Sequence, residues 1–254
     1  MIDRTKRLEE LFLHEINTHV TRLIASGQFR ERDRMVSVYS LNHGRIVLRF
    51  PGVNKEQSKL KAFSEPFVNS DVRIYLRTNA SIGCATGGKL NTVYPNIRQN
   101  VRKTNLALYF CELMHRLTPE QNPNPNKFYL LENSLAELES FKFNEASAPA
   151  FMLRLMQLSG YGVEEKPLLN IPADFWTALH KENLHNLAFT TAEEIIYLNK
   201  ARYICRRFLN KYLTYPLNTV GELDLTVPLE ESTRVTSPQI RAALSALEEV
   251  LQPA

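Results

Sequence analysis

Positively charged side chains are concentrated in the first half of this 254-residue chain. Residues 22–103 contain fifteen lysines and arginines but only five acidic residues, an excess of ten positive charges, whereas residues 104–254 carry five more acids than bases. Such a concentration is typical of a segment that binds a polyanion, because each contact with a phosphate releases a condensed counterion. The charge pattern therefore predicts nucleic-acid binding, and the alternative is a solvated basic surface that has no partner.

Within this segment the candidate binding residues form three groups. They are Arg30, Arg32 and Arg34 next to the aromatic Phe29, then Lys55, Lys59 and Lys61, and finally Arg102 and Lys103. The first two groups are expected in loops at one rim of a sheet, and Phe29 is the candidate on which a base would stack. The third group opens a predicted helix, where cations lie at the unfavourable end of the helix dipole, although a solvated first turn explains them equally well. Tyr39, Phe50 and Phe63 are further candidates for stacking, but Tyr39 and Phe50 fall within predicted strands and are more typical of a core.

Residue types with catalytic potential do not occur at catalytic spacings. No two of the six histidines stand four residues apart, and neither a phosphate-binding glycine loop nor a nucleophile elbow is present. Cys84, Cys111 and Cys205 are too far apart for a CxxC zinc site, and an odd number does not suit a disulfide framework. We therefore expect a binding protein without catalytic residues, metal or cofactor. An enzyme whose site is built from unrecognisable residues is the alternative.

Elements that would position the cations can be read from the hydrophobic pattern. Near-alternating apolar residues predict five strands, at His19–Ser26, Arg34–Leu41, Arg45–Phe50, Phe67–Arg77 and Gly83–Tyr94. Five short antiparallel strands in about 75 residues suit a small closed barrel, since an open sheet would expose its edges.

After Pro95 the period changes to that of helices. Helices are predicted at Asn100–Leu117, Lys127–Ser140, Ala148–Ser159, Ala173–Glu182 and Thr191–Tyr212, with amphipathic helices at residues 1–15 and 237–251. The fold class is therefore α+β, with a five-stranded N-terminal barrel followed by an α-helical domain. The expected divisions are an N-terminal helical extension (1–15), the barrel (16–97), the helical domain (98–215), and a tail ending in an amphipathic helix (216–254).

Two further features concern location and partners. No run of about 18 apolar residues exists and the first residues lack the apolar core of a signal peptide, so we expect a soluble, cytoplasmic protein that does not enter membranes. The last predicted helix carries a second cationic cluster, consisting of Lys200, Arg202, Arg206, Arg207 and Lys211. This cluster is either the solvated side of an amphipathic helix or a docking site for an acidic peptide.

The order of several short motifs resembles the DNA repair protein RecO family. The motifs are Gly27–Leu41 (GQFRERDRMVSVYSL) with Asn42–Ile46, Gly52 with Ser58–Leu60, Glu65–Phe67, Ala107–Leu113 (ALYFCEL), and Phe151–Met156 followed by Gly160-Tyr161. The resemblance runs from about residue 17 to about residue 215. Each motif alone is weak, and their correct order carries the resemblance.

That resemblance implies an OB-fold joined to a helical domain, and a nucleoid-associated recombination mediator. Such a protein binds single- and double-stranded DNA, anneals complementary strands, works with RecR and helps to load RecA onto DNA coated with single-stranded DNA-binding protein (SSB). The cluster at Lys200–Lys211 would then suit the acidic C-terminal tail of SSB. Many members carry a four-cysteine zinc module after the Gly-Tyr position, but Gly160-Tyr161 is followed here by residues without cysteine, so no zinc is expected. The alternative is another OB-fold module, binding RNA or associated with translation, whose helices serve assembly.

Overall fold

A computed structural model describes residues 13–30, 32–77, 82–141, 144–161, 170–187 and 189–219, with the backbone alone for 13–30 and 77. Most of the predicted N-terminal helix and all of the helix predicted at 237–251 lie outside the described residues. Residues 13–15 are described, and they begin a strand. The prediction that the N-terminal helix extends through residue 15 is therefore wrong.

The strands form one closed barrel. They are β1 (Leu13–Arg30), β2 (Asp33–Ser40), β3 (Gly44–Phe50), β4 (Val68–Arg77) and β5 (Ile82–Val93). Their order around the barrel is β1-β2-β3-β5-β4. Neighbours are antiparallel except β3 and β5, which pair in parallel at Val47–Ile82, Leu48–Gly83 and Arg49–Cys84. The prediction of an α+β chain in which a sheet precedes the helices is confirmed.

The barrel core follows the two-residue period of its strands. Along β3, Ile46, Leu48 and Phe50 are buried, whereas Arg45, Val47 and Arg49 between them are only partly covered. The buried side chains of β3 meet those of β2, β4 and β5 in one apolar cluster. Phe50 belongs to that cluster and Tyr39 on β2 is also fully buried, so both aromatics serve packing.

Three helices pack with the barrel, α1 (Pro95–Gln99), α2 (Val101–Leu117) and α3 (Pro125–Ser140). On the outer face of β2, the Ser37 hydroxyl lies 3.2 Å from Nδ1 of His115 on α2. The turn between β2 and β3 lies against the loop before α3, because a Cβ at Gly44 would come within 2.4 Å of the Asn122 carbonyl oxygen. With a φ of +67°, Gly44 also has the backbone conformation that glycine tolerates best.

Three more helices follow, α4 (Ser147–Leu158), α5 (Ala173–Lys181) and α6 (Ala192–Tyr212). By compactness the chain divides into residues 1–141 and 142–254. The change from strands to helices near residue 97 is thus a change of secondary structure inside the first unit, since α2 and α3 contact β1 and α1 contacts both of these helices. Helix α6 begins with a capping box between Thr191 and Glu194. In the part of the chain that is described, no helix combines the length and apolarity needed to cross a membrane.

Candidate nucleic-acid interface

Two loops meet at one rim of the barrel. The backbone N–H of Asn54 donates to the carbonyl oxygen of Arg32 (3.3 Å), and the N–H of Gly52 donates to Oδ1 of Asp33 (2.9 Å). These bonds join the β1–β2 turn to the loop of residues 51–67. Arg32, Lys55, Lys59 and Lys61 are all exposed on these two loops. We call these four residues the rim cations.

Arg34 was predicted both as the start of the second strand and as part of the loop before it. It lies in β2 rather than in a loop, and its Nη1 reaches the Ser64 hydroxyl (3.1 Å) and Oε1 of Glu65 (3.1 Å). Because these partners lie about thirty residues further along the chain, the guanidinium braces β2 against the loop of residues 51–67. Arg30 also lies in a strand, at the end of β1, so the prediction that the first group forms a loop is wrong for both residues. The side chains of Phe29 and Arg30 lie outside the described part, and their roles stay predictions.

The third predicted group, at the start of α2, separates into two. Arg102 is exposed, whereas Nζ of Lys103 donates to the carbonyl oxygen of Glu139 (3.1 Å), in the last turn of α3. A cation bonded to a carbonyl near a helix C-terminus offsets the negative end of that helix dipole. This contact gives Lys103 a structural reason for its position, and Arg102 is left as the candidate ligand-binding residue of the pair.

The cationic cluster of α6 occupies more than one side of the helix. With 3.6 residues per turn, Lys200, Arg207 and Lys211 share one side, whereas Arg202 and Arg206 project from another. Each residue of the first set lies over an aromatic ring at 5.3 to 5.8 Å, and burial lowers the pKa of Lys200. We call Lys200, Arg207 and Lys211 the α6 basic side. The five cations therefore do not form the single patch that was expected from the sequence.

Arg202 is committed to an ion pair. Its Nη2 lies 2.9 Å from Oε2 of Glu145 and its Nη1 donates to Oδ1 of Asn199 (3.1 Å), while the side chain is 15% exposed. This pair fastens α6 to the segment before α4. Among the five predicted partner-binding residues, Arg202 thus has a clear structural task.

An aromatic cluster lies at the C-terminal end of α6. The rings of Tyr161, Phe208 and Tyr212 lie 4.5 to 5.2 Å from one another, and both tyrosines are nearly half exposed. Lys211 of the α6 basic side lies 5.6 Å over the Tyr212 ring. These tyrosines are not among the site residues predicted from the sequence. The four-residue spacing of Phe208 and Tyr212 could have shown that pair, whereas nothing in the sequence places Tyr161 beside them.

Metal ions in proteins are held by grouped histidine, cysteine and acidic side chains. Over the described ranges no three such side chains are grouped so that they could hold a metal ion. Residues 162–169, which follow the Gly160-Tyr161 motif, lie outside those ranges, so the absence of zinc stays a prediction. Burial raises the pKa of Cys205 to about 12, which keeps that thiol protonated.

The described features define a class of protein in which a small closed barrel with a cationic rim precedes a set of helices. Two family models match this chain: "Recombination protein O N terminal" over residues 22–94 and "Recombination protein O C terminal" over residues 98–166. Together they cover more than half of the chain. The chain belongs to the recombination protein O (RecO) family, and the resemblance inferred from its motifs is confirmed.

Curated relatives carry the name DNA repair protein RecO. That of Pelobacter propionicus is 27% identical over 139 residues, which is 55% of this chain and 56% of the relative. That of Dehalococcoides mccartyi strain 195 is 30% identical over 157 residues, 62% of this chain and 61% of the relative. The Bacillus subtilis protein is 27% identical over 141 residues, 56% and 52% of the two chains. The matched region thus spans between half and two thirds of the length of these relatives.

Proposed function

We propose that this chain is a DNA-binding recombination mediator of DNA repair, which binds single- and double-stranded DNA and anneals complementary strands. The observation that carries the proposal is the meeting of two cationic loops at one barrel rim, through the Asn54–Arg32 and Gly52–Asp33 hydrogen bonds. Family membership supports the same role, since relatives are named DNA repair proteins. We expect such a protein to be cytoplasmic and associated with the nucleoid.

The barrel is proposed to be an OB-fold. The strand order β1-β2-β3-β5-β4, with β3 and β5 parallel, supports this assignment. OB-folds bind nucleic acid through the outer face of their strands and through the loops at one rim of the barrel. The rim cations occupy such loops and would neutralise phosphates without reading bases, so we expect weak sequence preference and affinity that falls steeply with salt.

The second unit is proposed to bind a protein partner instead of DNA. Residues 142–254 contain 13 acidic and 11 basic residues, an excess of two negative charges, which disfavours a phosphate backbone within about one Debye length, ~8 Å at physiological salt. The α6 basic side beside the aromatic cluster of Tyr161, Phe208 and Tyr212 suits a short acidic peptide with an apolar end. The C-terminal tail of SSB has this chemistry. Family membership also supports the proposal that the chain works with a RecR-like mediator and helps to load a recombinase.

The test is annealing of complementary oligonucleotides coated with SSB. The wild-type chain should accelerate annealing. Replacing Lys55, Lys59 and Lys61 together by Gln should slow it and make the salt dependence of single-strand binding shallower, by about 0.7 in the log–log slope for each phosphate that is no longer neutralised. The matched control replaces the same three lysines by Arg, which keeps the charges and should retain both the affinity for single strands and its salt slope.

Two results would contradict the proposal. If wild-type protein binds DNA with a salt slope near zero, the rim cations do not bind phosphates. Wild-type protein that leaves annealing unchanged but binds RNA tightly would favour the RNA-binding alternative.

A further inference from the structure

The outer faces of the barrel strands differ in how far they are covered. On β2 the outward residues Ser37 and Tyr39 are almost completely buried, and Ser37 contacts α2 through His115. On β4 and β5, in contrast, Tyr75 is 39% exposed and Ile82 is 50% exposed. The helices of the first unit therefore leave the outer face around Arg49, Tyr75 and Ile82 more accessible than that of β2 at Ser37 and Tyr39.

The strand register places the side chains of this accessible face in rows. Arg49 of β3 pairs with Cys84 of β5, which in turn pairs with Tyr75 of β4. Neighbouring strands lie about 4.8 Å apart, so the backbones at Arg49 and Tyr75 are separated by about 10 Å. On one side of this row lies Ile82, and on the other lies Arg73, which is exposed and pairs with Gly87.

Several contacts shape this face. Nη2 of Arg49 lies 3.6 Å from Sγ of Cys84, so the guanidinium lies along the strand surface. A Cβ placed on Gly87 would have no atom within 4 Å, which shows open space beside Arg73. The carboxylate of Asp71 lies further along β4, opposite Lys89 in the register. One ring and one aliphatic side chain are thus flanked by two guanidinium groups.

The same face is continuous with the rim. Arg49 pairs with Met35 of β2 and is followed by Phe50, after which the loop of residues 51–67 begins. A DNA strand bound by the rim cations would therefore contact Arg49 next. Charge and aromatic surface in this order are what single-stranded nucleic acid requires, since its phosphates need cations and its unpaired bases need a surface on which to stack.

We propose that the outer face of β3, β5 and β4 binds single-stranded DNA, with Tyr75 and Ile82 as the stacking surface and Arg49 and Arg73 as phosphate contacts. The inference rests on the proposed DNA-binding function and extends it to residues beyond the rim. A duplex keeps its bases stacked on one another, so the ring contributes to single strands alone. The face therefore distinguishes single-stranded from double-stranded DNA, which the rim cations do not.

The test measures binding of the full chain to a thymidine oligonucleotide of about 20 nucleotides and to a duplex of the same length. Tyr75→Leu should weaken single-strand binding about tenfold and duplex binding less than twofold, because one base loses its stacking partner. Tyr75→Phe keeps the ring and should bind like wild type. The matched control is Tyr129→Leu, which removes another exposed tyrosine of the first unit, located on α3. Iodouracil in the oligonucleotide should crosslink to a peptide of β4 that contains Tyr75.

Each contrary outcome overturns the inference in a distinct way. If wild type and the rim variants behave as proposed but Tyr75→Leu binds single strands like wild type, the rim holds DNA and this face does not. Equal losses on single strands and duplex would refute stacking. If Tyr75→Leu changes the sedimentation of the free protein without changing its DNA affinity, the face joins two copies of the chain. If wild type fails to bind DNA at all, the proposed function fails first.

Discussion

Arg34 offers the sharpest separation between a structural cation and a DNA-binding one. Its Nη1 bonds to Oγ of Ser64 and Oε1 of Glu65, and it lies 3.4 Å from the Ser64 carbonyl oxygen. Arg32, two residues earlier, is exposed at the rim. Replacing each by Gln should therefore give opposite results: Arg34→Gln should destabilise the barrel and spare DNA binding, and Arg32→Gln should do the reverse.

The magnitude follows from exposure. The side chains of Arg34 and Glu65 are 25% and 34% exposed, so water screens part of the ion pair and the lower end of the range for charge-assisted hydrogen bonds applies. We expect Arg34→Gln to lower the free energy of unfolding by about 1–2 kcal/mol. For a unit of this size, that corresponds to roughly 3–8 °C in Tm. Arg32→Gln should change Tm by less than about 1 °C, since it alters an exposed turn.

The assay is thermal unfolding together with titration of a fluorescent single strand. A double-mutant cycle with Glu65→Gln isolates the pair, and the coupling free energy should be about 0.5 kcal/mol or more. The reasoning is refuted if Arg34→Gln leaves Tm unchanged and weakens DNA binding as much as Arg32→Gln does. That result would return Arg34 to the group of DNA-binding residues predicted from sequence.

Three further predictions concern pH, the partner site and metal. Burial lowers the pKa of His115, so the fold prefers its neutral form, and the free energy of unfolding should fall as pH drops below about 6.5; thermal unfolding should show a smaller pH dependence in His115→Gln. On α6, Arg207→Glu should weaken binding of an acidic SSB-tail peptide more than tenfold, while Arg206→Glu should change it less than about twofold. Of these two residues only Arg207 lies on the α6 basic side. Calorimetric titration measures both affinities, and equal effects would contradict the division of the cluster. Elemental analysis of purified protein should find no stoichiometric zinc, and one zinc per chain would show that a site was missed.

Much of the secondary structure could be predicted because it depends on local periodicity. The alternation in Gly44–Phe50 produced β3, and the threonine predicted to start the last helix, Thr191, is the N-cap of α6. The full extent of β1 could not be predicted, because its pairing with β4 from Leu13 onwards depends on residues about sixty positions away. Local pattern thus determined which elements form, and pairing determined where they begin and end.

The candidate site was harder to predict than the fold. The partners of Arg34 and Lys103 are about thirty or more residues away, so a list of cations could not distinguish bound side chains from available ones. The division of the α6 cluster was different, because 100° per residue already separates Arg206 from Arg207. The angular separation of these cations could therefore have been predicted from the sequence. It is lost when charges are counted along the chain instead of around the helix.

The two kinds of cation have different tasks in the first unit. Several arginines hold the fold together through fixed partners: Arg34 at Ser64 and Glu65, Arg45 at Thr118 and Glu120, and Arg98 at the Pro66 carbonyl oxygen. The loop of residues 51–67 instead exposes Lys55, Lys59 and Lys61. A guanidinium forms several directional hydrogen bonds, which suits a joint, whereas an ammonium is a hydrated point charge on a flexible stem. In the proposed function that difference matters, because annealing requires two strands to move past each other while their repulsion is reduced. Lysine contacts that exchange readily between phosphates allow this movement, and a rim of fixed arginine forks would hold each strand in one register.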